Sequence, residues 1–378
     1  MTIRMGLIGG GPGAFIGPVH RIAAMLDGEI ELVAGAFSSD AERSREGGRT
    51  YGVDPGRAYP DYATLIAAET ARPDGVDFIT IATPNDTHLP IAQAALAAGI
   101  GVMSDKPATT TLAQAKALAR SVAAASAPYA LSYTYSGYPL VREMRALVAS
   151  GTIGAVRKVV AEYSQGWLAQ AIEKSGSKQA SWRVDASKAG VGGCIGDIGV
   201  HAFHLAEFVT GSPVSSLCAD LAAMVPGRQL DDDGAVLLRF ANGARGVLIA
   251  SQICVGEANG LSLRVYGETG SLIWRQEDPN QVIRHDLSGR MEILRTGQSG
   301  LGPDAIAATR IPAGHPEGYL EAFANLYRDF ARRLRGEDAP LLPGIADGLR
   351  SMAFIETAVA ASRDRLGWTD LLVEGTET

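Results

Sequence analysis

Ile3-Arg4-Met5-Gly6-Leu7-Ile8-Gly9-Gly10-Gly11-Pro12-Gly13-Ala14-Phe15-Ile16-Gly17-Pro18-Val19-His20 is the stretch that decides the fold. It runs from a short β-like segment, residues 3–8, through a glycine cluster into a helical pattern over residues 18–26. Such a turn lets backbone N–H groups and a helix N-terminus meet a pyrophosphate. Gly9 and Gly11 fit the first two positions of G-x-G-x-x-G. The third falls on Ala14, which the looser form of the pattern allows, or on Gly17 if the loop is longer. Pro12, Gly13, Phe15 and Ile16 complete the loop expected against a dinucleotide. A plain glycine turn has the same composition. Placement directly between a strand and a helix favours the dinucleotide.

Outward from this turn the chain alternates. Strand-like runs at residues 30–37, 76–82, 100–103 and 129–133 are separated by helical patterns from Asp40 and at 62–68, 89–98 and 112–125. Alternation of this kind predicts βαβ units and a parallel sheet, and the apolar strands predict burial on both faces. Beyond residue 133 the pattern changes. An amphipathic helix at 139–149 and a strand at 156–163 are followed by a helix at 198–209. Several strands then lie between residues 214 and 274, with Asn242-Gly243 as a hairpin signal. Residues 297–314 read as a loop, and helices at 316–335 and 346–366 close the chain. The expected architecture is α/β: a dinucleotide-binding domain over residues 1–133, then an α+β domain with a largely antiparallel sheet over 134–378. The last helices could pack back on the first domain.

At 378 residues, two domains are the natural division. A net charge of −7 with no Lys/Arg block argues against nucleic acid or an anionic membrane as partner. The three cysteines, Cys194, Cys218 and Cys254, form no C-x-x-C pair, which fits a reducing compartment. With no signal-like start and no spanning segment, the expectation is a cytoplasmic protein.

An acidic residue that selects the cofactor ribose is expected at the end of the second strand. The residues there are Phe37-Ser38-Ser39-Asp40, with Arg43 following. Ser38, Ser39 and Arg43 could bond a 2′-phosphate. Asp40 could reach a ribose hydroxyl or simply cap the next helix. NAD(H) and NADP(H) both stay open. Two further strand ends carry Thr83-Pro84-Asn85-Asp86-Thr87-His88 and Asp105-Lys106-Pro107. Further on, Gly192-Gly193-Cys194-Ile195-Gly196-Asp197-Ile198-Gly199-Val200-His201 joins a glycine-rich approach to D-x-G-x-H. If Asp197 begins a helix, Asp197 and His201 share one face. A capping Asp and a packed His would give the same spacing.

Taken in this order, Thr83-Pro84-x-x-x-His88, Lys106-Pro107 and Asp197-x-Gly199-x-His201 resemble the glucose–fructose oxidoreductase/inositol dehydrogenase (Gfo/Idh/MocA) family across nearly the whole chain. The resemblance implies a Rossmann domain, a second domain with a large open sheet, and NAD(P). It also implies a homo-oligomer, dimer or tetramer, formed through that sheet. Catalytic Lys, Asp and His roles carry over to Lys106, Asp197 and His201, and Thr83, Pro84, Asn85, His88, Asp105 and Lys106 itself fall among the cofactor contacts. Asp105 stands where the family has Glu. His204 stands where it often has Asp.

The chemistry expected is hydride transfer between nicotinamide and a secondary alcohol or ketone of a sugar, sugar derivative or inositol-like polyol, in either direction. His201 serves as the base, Asp197 orients it, and Lys106 places positive charge near the reacting oxygen. No metal is called for. Tyr135, Tyr138, Gln165, Trp167, Arg183 and His204 are candidate contacts for a sugar or polyol, with Trp182 and His315 as weaker ones. Two other readings remain at this point: a redox-assisted glycosidase or epimerase with tightly held NAD, and a non-catalytic dinucleotide sensor on the same fold.

Overall fold

The computed structural model describes residues 2–176 and 178–373. The chain divides into two units, Met1–Thr134 with Phe323–Leu349, and Tyr135–Ala322 with Arg350–Thr378.

The first unit holds a parallel sheet of five strands: β1 (Ile3–Gly9), β2 (Ile30–Ala36), β3 (Phe78–Ala82), β4 (Gly101–Ser104) and β5 (Tyr129–Leu131). Their order is β2-β1-β3-β4-β5. The order reverses between β1 and β3, and in open α/β sheets ligands bind outside the carboxyl ends of the strands at such a point. Gly9 pairs with Ala82 there. Every residue of β3 and β4 is buried, as parallel strands covered on both faces require. Helices Ile16–Met25, Ala41–Tyr51, Tyr62–Thr70, His88–Ala97 and Leu112–Ala124 make the connections. Three start on side-chain caps, with Asp40, Asp61 and Thr111 each accepting from backbone N–H groups of the first turn. The returning segment joins this unit: the Leu131 N–H donates to the Pro343 carbonyl, and Phe330 packs edge-on to Phe78.

The second unit is built on a nine-stranded sheet. Its strands are β6 (Val156–Ser164), β7 (Val214–Ala222), β8 (Asp233–Phe240), β9 (Arg245–Ser251), β10 (Gly260–Gly267), β11 (Gly270–Arg275), β12 (Asp278–Asp286), β13 (Met291–Arg295) and β14 (Thr369–Asp370). The order is β13-β12-β11-β10-β6-β9-β8-β7-β14, antiparallel except for the β6–β9 pair. The strands alternate. Val159, Ala161, Leu248, Ala250, Leu263 and Trp274 point into the core, against helices Pro139–Ala149 and Val200–Thr210. Val160, Leu237, Val247, Ile249, Ile273 and Ile283 face out and are only partly covered.

Four expectations need correction. β12, β13 and β14 lie beyond the region read as strands: polar residues such as Asn280, Gln281 and Glu292 mask the alternation of β12 and β13, and β14 is only two residues long. The supposed loop 297–314 contains a short helix, Pro303–Ala307, started by Pro303 at its first position. Residues 165–190, largely unread, hold a 3₁₀ turn, Ile172–Ser175, and short helices Lys178–Arg183 and Ala186–Ala189. The helix expected at 198–209 is Val200–Thr210, preceded by a π-helical turn, Ile195–Gly199. Asp197 therefore sits inside that turn and is not the cap that starts a helix.

Candidate active site

The glycine turn takes the longer form. Gly10 and Gly17 lie back to back: a Cβ on Gly17 would stand 2.2 Å from the Gly10 Cα. Gly17, not Ala14, is thus the third glycine, the one that lets helix and strand pack closely. Ala14 instead closes a local turn by donating to the Gly11 carbonyl. Gly11 approaches the end of β2, where a Cβ would lie 2.4 Å from the Phe37 carbonyl oxygen. Gly9 and Gly13 have φ of +83° and +82°, which side-chain-bearing residues avoid. A Cβ on Gly13 would meet nothing within 4 Å, so this part of the loop faces open space. The helix that follows has no side-chain cap, since Phe15 at its start offers no acceptor. Its first N–H groups are therefore available to an anion, as a pyrophosphate site requires.

These contacts carry a prediction. Gly17→Ala forces two backbones apart and should abolish cofactor binding, read as loss of NADH fluorescence enhancement. Affinity within about threefold of wild type, less than 1 kcal/mol, would contradict the packing argument.

At the end of β2, Asp40 Oδ1 accepts from the N–H groups of Glu42 and Arg43, at 3.0 and 2.9 Å. The capping reading of Asp40 holds, and Oδ2 is left at the exposed surface. Ser38 Oγ accepts from the Asp40 N–H, while Ser39 and Arg43 are exposed. After β3, Thr87 Oγ1 donates to Thr83 Oγ1, and Asn85 is buried behind Pro84. His88 is buried with Nδ1 2.8 Å from the Pro107 carbonyl and Nε2 3.0 Å from the Thr83 carbonyl. It ties together the turns that follow β3 and β4. Asp105 Oδ1 accepts from Ser132 Oγ at 2.7 Å and from the Lys106 N–H at 3.0 Å, fixing the base of Lys106. Beneath the loop, His20 bonds the Tyr327 hydroxyl at 2.8 Å. Burial holds this imidazole below its usual pKa, and the nearby Asp105 charge pulls the other way.

In the second unit, Asp197 Oδ2 accepts from Arg183 Nε and from Gln252 Nε2, both at 2.9 Å. The Arg183 guanidinium lies over the Trp182 ring, 4.2 Å from its centre, and over the Trp167 ring at 5.7 Å. Four residues after Asp197, the largely buried His201 meets the Tyr135 ring edge-on at 4.9 Å. The Tyr135 and Tyr163 hydroxyls are 2.5 Å apart. Asn259 Oδ1 accepts from Tyr163 and from Gln165, and Gln165 in turn accepts from Trp167 Nε1. Burial pushes both tyrosine hydroxyls up, and the Asp197 charge adds to this, so both stay protonated donors. Tyr138 stacks on Tyr135 and receives a bond from Gln276 Nε2.

Five of the expected substrate contacts thus share one connected cluster with Asp197 and His201: Tyr135, Tyr138, Gln165, Trp167 and Arg183. His204 is buried against Phe208. His315 is exposed and bonds the Pro312 carbonyl. Three members of the cluster were not foreseen: Tyr163, Gln252 and Asn259. Asn259-Gly260 registers in sequence only as a turn, and Gln252 gives no signal. Both flank the β9–β10 connection, which brings them to the same cluster.

A parallel nucleotide-binding sheet with an uncapped glycine-rich helix start, and a second unit with an Asp–His pair among aromatic and amide side chains, define a nicotinamide-dependent oxidoreductase. Residues 3–133 match the model of an oxidoreductase family with an NAD-binding Rossmann fold, and residues 141–273 match the GFO/IDH/MocA C-terminal domain. The chain belongs to the GFO/IDH/MocA family. It is 33% identical to the uncharacterized oxidoreductase YfiI of Bacillus subtilis, over 97% of this chain and 96% of that one. It is 27% identical to levoglucosan dehydrogenase of Pseudarthrobacter phenanthrenivorans, over 98% of each. Among solved structures, an inositol dehydrogenase homolog from Azotobacter vinelandii with NAD+ shares 38% identity, with a TM-score of 0.92 and coverage of 98% and 97%. The same homolog has also been solved with NADH and myo-inositol, at a TM-score of 0.90, 37% identity and 98% coverage of each chain. The chain is thus an NAD-binding oxidoreductase of the sugar and inositol dehydrogenase family.

Proposed function

We propose that the protein transfers a hydride between nicotinamide and a secondary alcohol or ketone of a sugar, sugar derivative or inositol-like polyol. The carrying observation is the cluster around Asp197 and His201, in which hydroxyl, amide and indole groups gather beside an imidazole. Polar donors set among aromatic faces suit a polyhydroxylated ring. The cofactor, when bound, supplies the hydride acceptor. His201 takes the hydroxyl proton, Asp197 holds the charge arrangement around it, and Lys106 stabilises negative charge on the reacting oxygen. The relatives named above are dehydrogenases and oxidoreductases, and none favours a glycosidase or a sensor.

The test is a panel of inositols, aldoses and anhydrosugars, including myo-inositol and levoglucosan, with NAD and NADP, read by the ultraviolet absorbance of reduced cofactor. Binding of cofactor with no turnover across the panel would remove the proposal. Cofactor choice gives a separate prediction. The Asp40 carboxylate serves the helix through Oδ1, and no acid stands directly at the end of β2. Repulsion of a 2′-phosphate is therefore weak, and kcat/KM for NAD should exceed that for NADP by less than about a hundredfold, some 2.7 kcal/mol.

We further propose that the outward face of the nine-stranded sheet meets a second copy of the chain. Its half-covered Val160, Val247, Ile249 and Ile273 make an apolar surface of the kind that marks an interface. Among the described residues, no helix is long and apolar enough to cross a membrane.

A further inference from the structure

Three consecutive backbone N–H groups, just ahead of Asp197, all end on one residue. Gly193 N–H donates to Asp231 Oδ1 at 2.6 Å, Cys194 N–H to the Asp231 carbonyl at 2.8 Å, and Ile195 N–H to Asp231 Oδ2 at 2.8 Å. The Cys194 thiol also donates to Oδ2, at 3.1 Å. A helix start leaves N–H groups in need of partners, and the π turn beginning at Ile195 has no side-chain cap of its own. The outer two of these N–H groups meet the carboxylate of Asp231, just ahead of β8, and the middle one meets its carbonyl. The approach is close enough that a Cβ on Gly193 would stand 2.0 Å from the Asp231 carbonyl oxygen.

The neighbouring Asp232 continues the arrangement. Its carboxylate accepts from the N–H groups of Met224 and Val225 and from Arg228. Its carbonyl accepts from the Gln252 N–H at 2.9 Å. Gln252 is the residue whose side-chain amide holds the Asp197 carboxylate. Adjacent aspartates thus fix both the turn that carries Asp197 and the amide that orients it.

We propose that Asp231 is a positioning residue for the reaction: its carboxylate sets the rotation and depth of the π turn and helix that present Asp197 and His201. The assignment rests on the reading of those two residues as acting on substrate. It requires a carboxylate specifically. Two carboxyl oxygens each meet one backbone N–H, and a carboxylate offers an acceptor to both. An asparagine would turn its NH₂ toward one of those N–H groups. Misplacing catalytic groups by 1 Å costs on the order of a hundredfold in rate.

The experiment compares full-length Asp231→Asn and Asp231→Glu with wild type. It measures NADH affinity by fluorescence, and kcat and the primary deuterium isotope effect with myo-inositol and levoglucosan. Amide hydrogen exchange over residues 193–201 is followed in parallel. In Asp231→Asn, NADH affinity should stay within about twofold while kcat falls at least tenfold, a loss smaller than full misplacement would give. The isotope effect should grow as chemistry becomes limiting, and exchange should quicken over 193–201. Asp231→Glu, which keeps the charge and both oxygens, should recover part of the rate. A folded Asp231→Asn with wild-type kcat and isotope effect overturns the assignment. If it does not fold, Asp231→Glu decides: lowered kcat with unchanged NADH affinity supports the assignment, and wild-type kcat overturns it. Should wild type turn over neither polyol, the reading of these substrates fails separately. The exchange data then decide, and unchanged protection of 193–201 in the variants overturns the proposal.

Discussion

Lys106→Ala is expected to remove turnover while leaving cofactor affinity nearly intact. Lys106 follows the fully buried β4, and its backbone N–H is fixed by Asp105 Oδ1, which Ser132 Oγ also engages. On its other side the Pro107 carbonyl faces His88. A flexible side chain thus grows from a root held by three neighbours. A fixed root lowers the cost of holding its ammonium where negative charge develops. Loss of one such donor costs about 10²–10³ in kcat, near 3–4 kcal/mol, so kcat for the variant should fall at least about a hundredfold. The glycine turn and the uncapped helix start are untouched, which is why NADH fluorescence titration should give nearly the wild-type Kd. Near-wild-type kcat would take Lys106 out of the mechanism. A lost Kd with normal kcat at saturating NAD would instead make it a cofactor contact.

Much of this was legible because local chemistry leaves marks in sequence. The glycine turn declares itself, since Gly9 and Gly13 need a positive φ and Gly11 and Gly17 need bare Cα atoms. The β3 and β4 motifs stand where buried apolar runs stop. What escaped was set by tertiary packing. Periodicity could suggest that Asp197 and His201 share a helix, but not that the turn before His201 is π-helical. That geometry is secured by Asp231, 34 residues beyond Asp197, through bonds that no local pattern records. Gln252 and Asn259 were invisible for the same reason. They flank a β9–β10 connection whose polar residues read only as a turn. The choice between Ala14 and Gly17 as third glycine is likewise set by packing, because only the contact with Gly10 distinguishes them.

The pH dependence of the two directions of reaction should separate a catalytic His201 from a packed one. A base must be neutral to accept the hydroxyl proton, so the oxidation rate should rise with pH through its titration. Reduction should fall over the same range, since the group must then donate. His201→Ala should flatten both limbs and lower kcat by about 10²–10⁴, the usual share of general acid–base catalysis. NADH affinity should be unchanged. Asp197→Asn separates charge from shape. The Arg183–Asp197 pair is only partly buried, with side-chain exposures of 23% and 18%, so its share of stability is about 1 kcal/mol or less. Asparagine keeps an acceptor for Arg183 or Gln252 but removes the negative charge beside them. The fold should therefore persist, with a melting temperature within a few degrees of wild type, while the proton step slows. A purely structural pair predicts the opposite: lower melting temperatures and unchanged pH profiles. Full kcat with an unshifted profile in His201→Ala would end the proposal that this imidazole is the base.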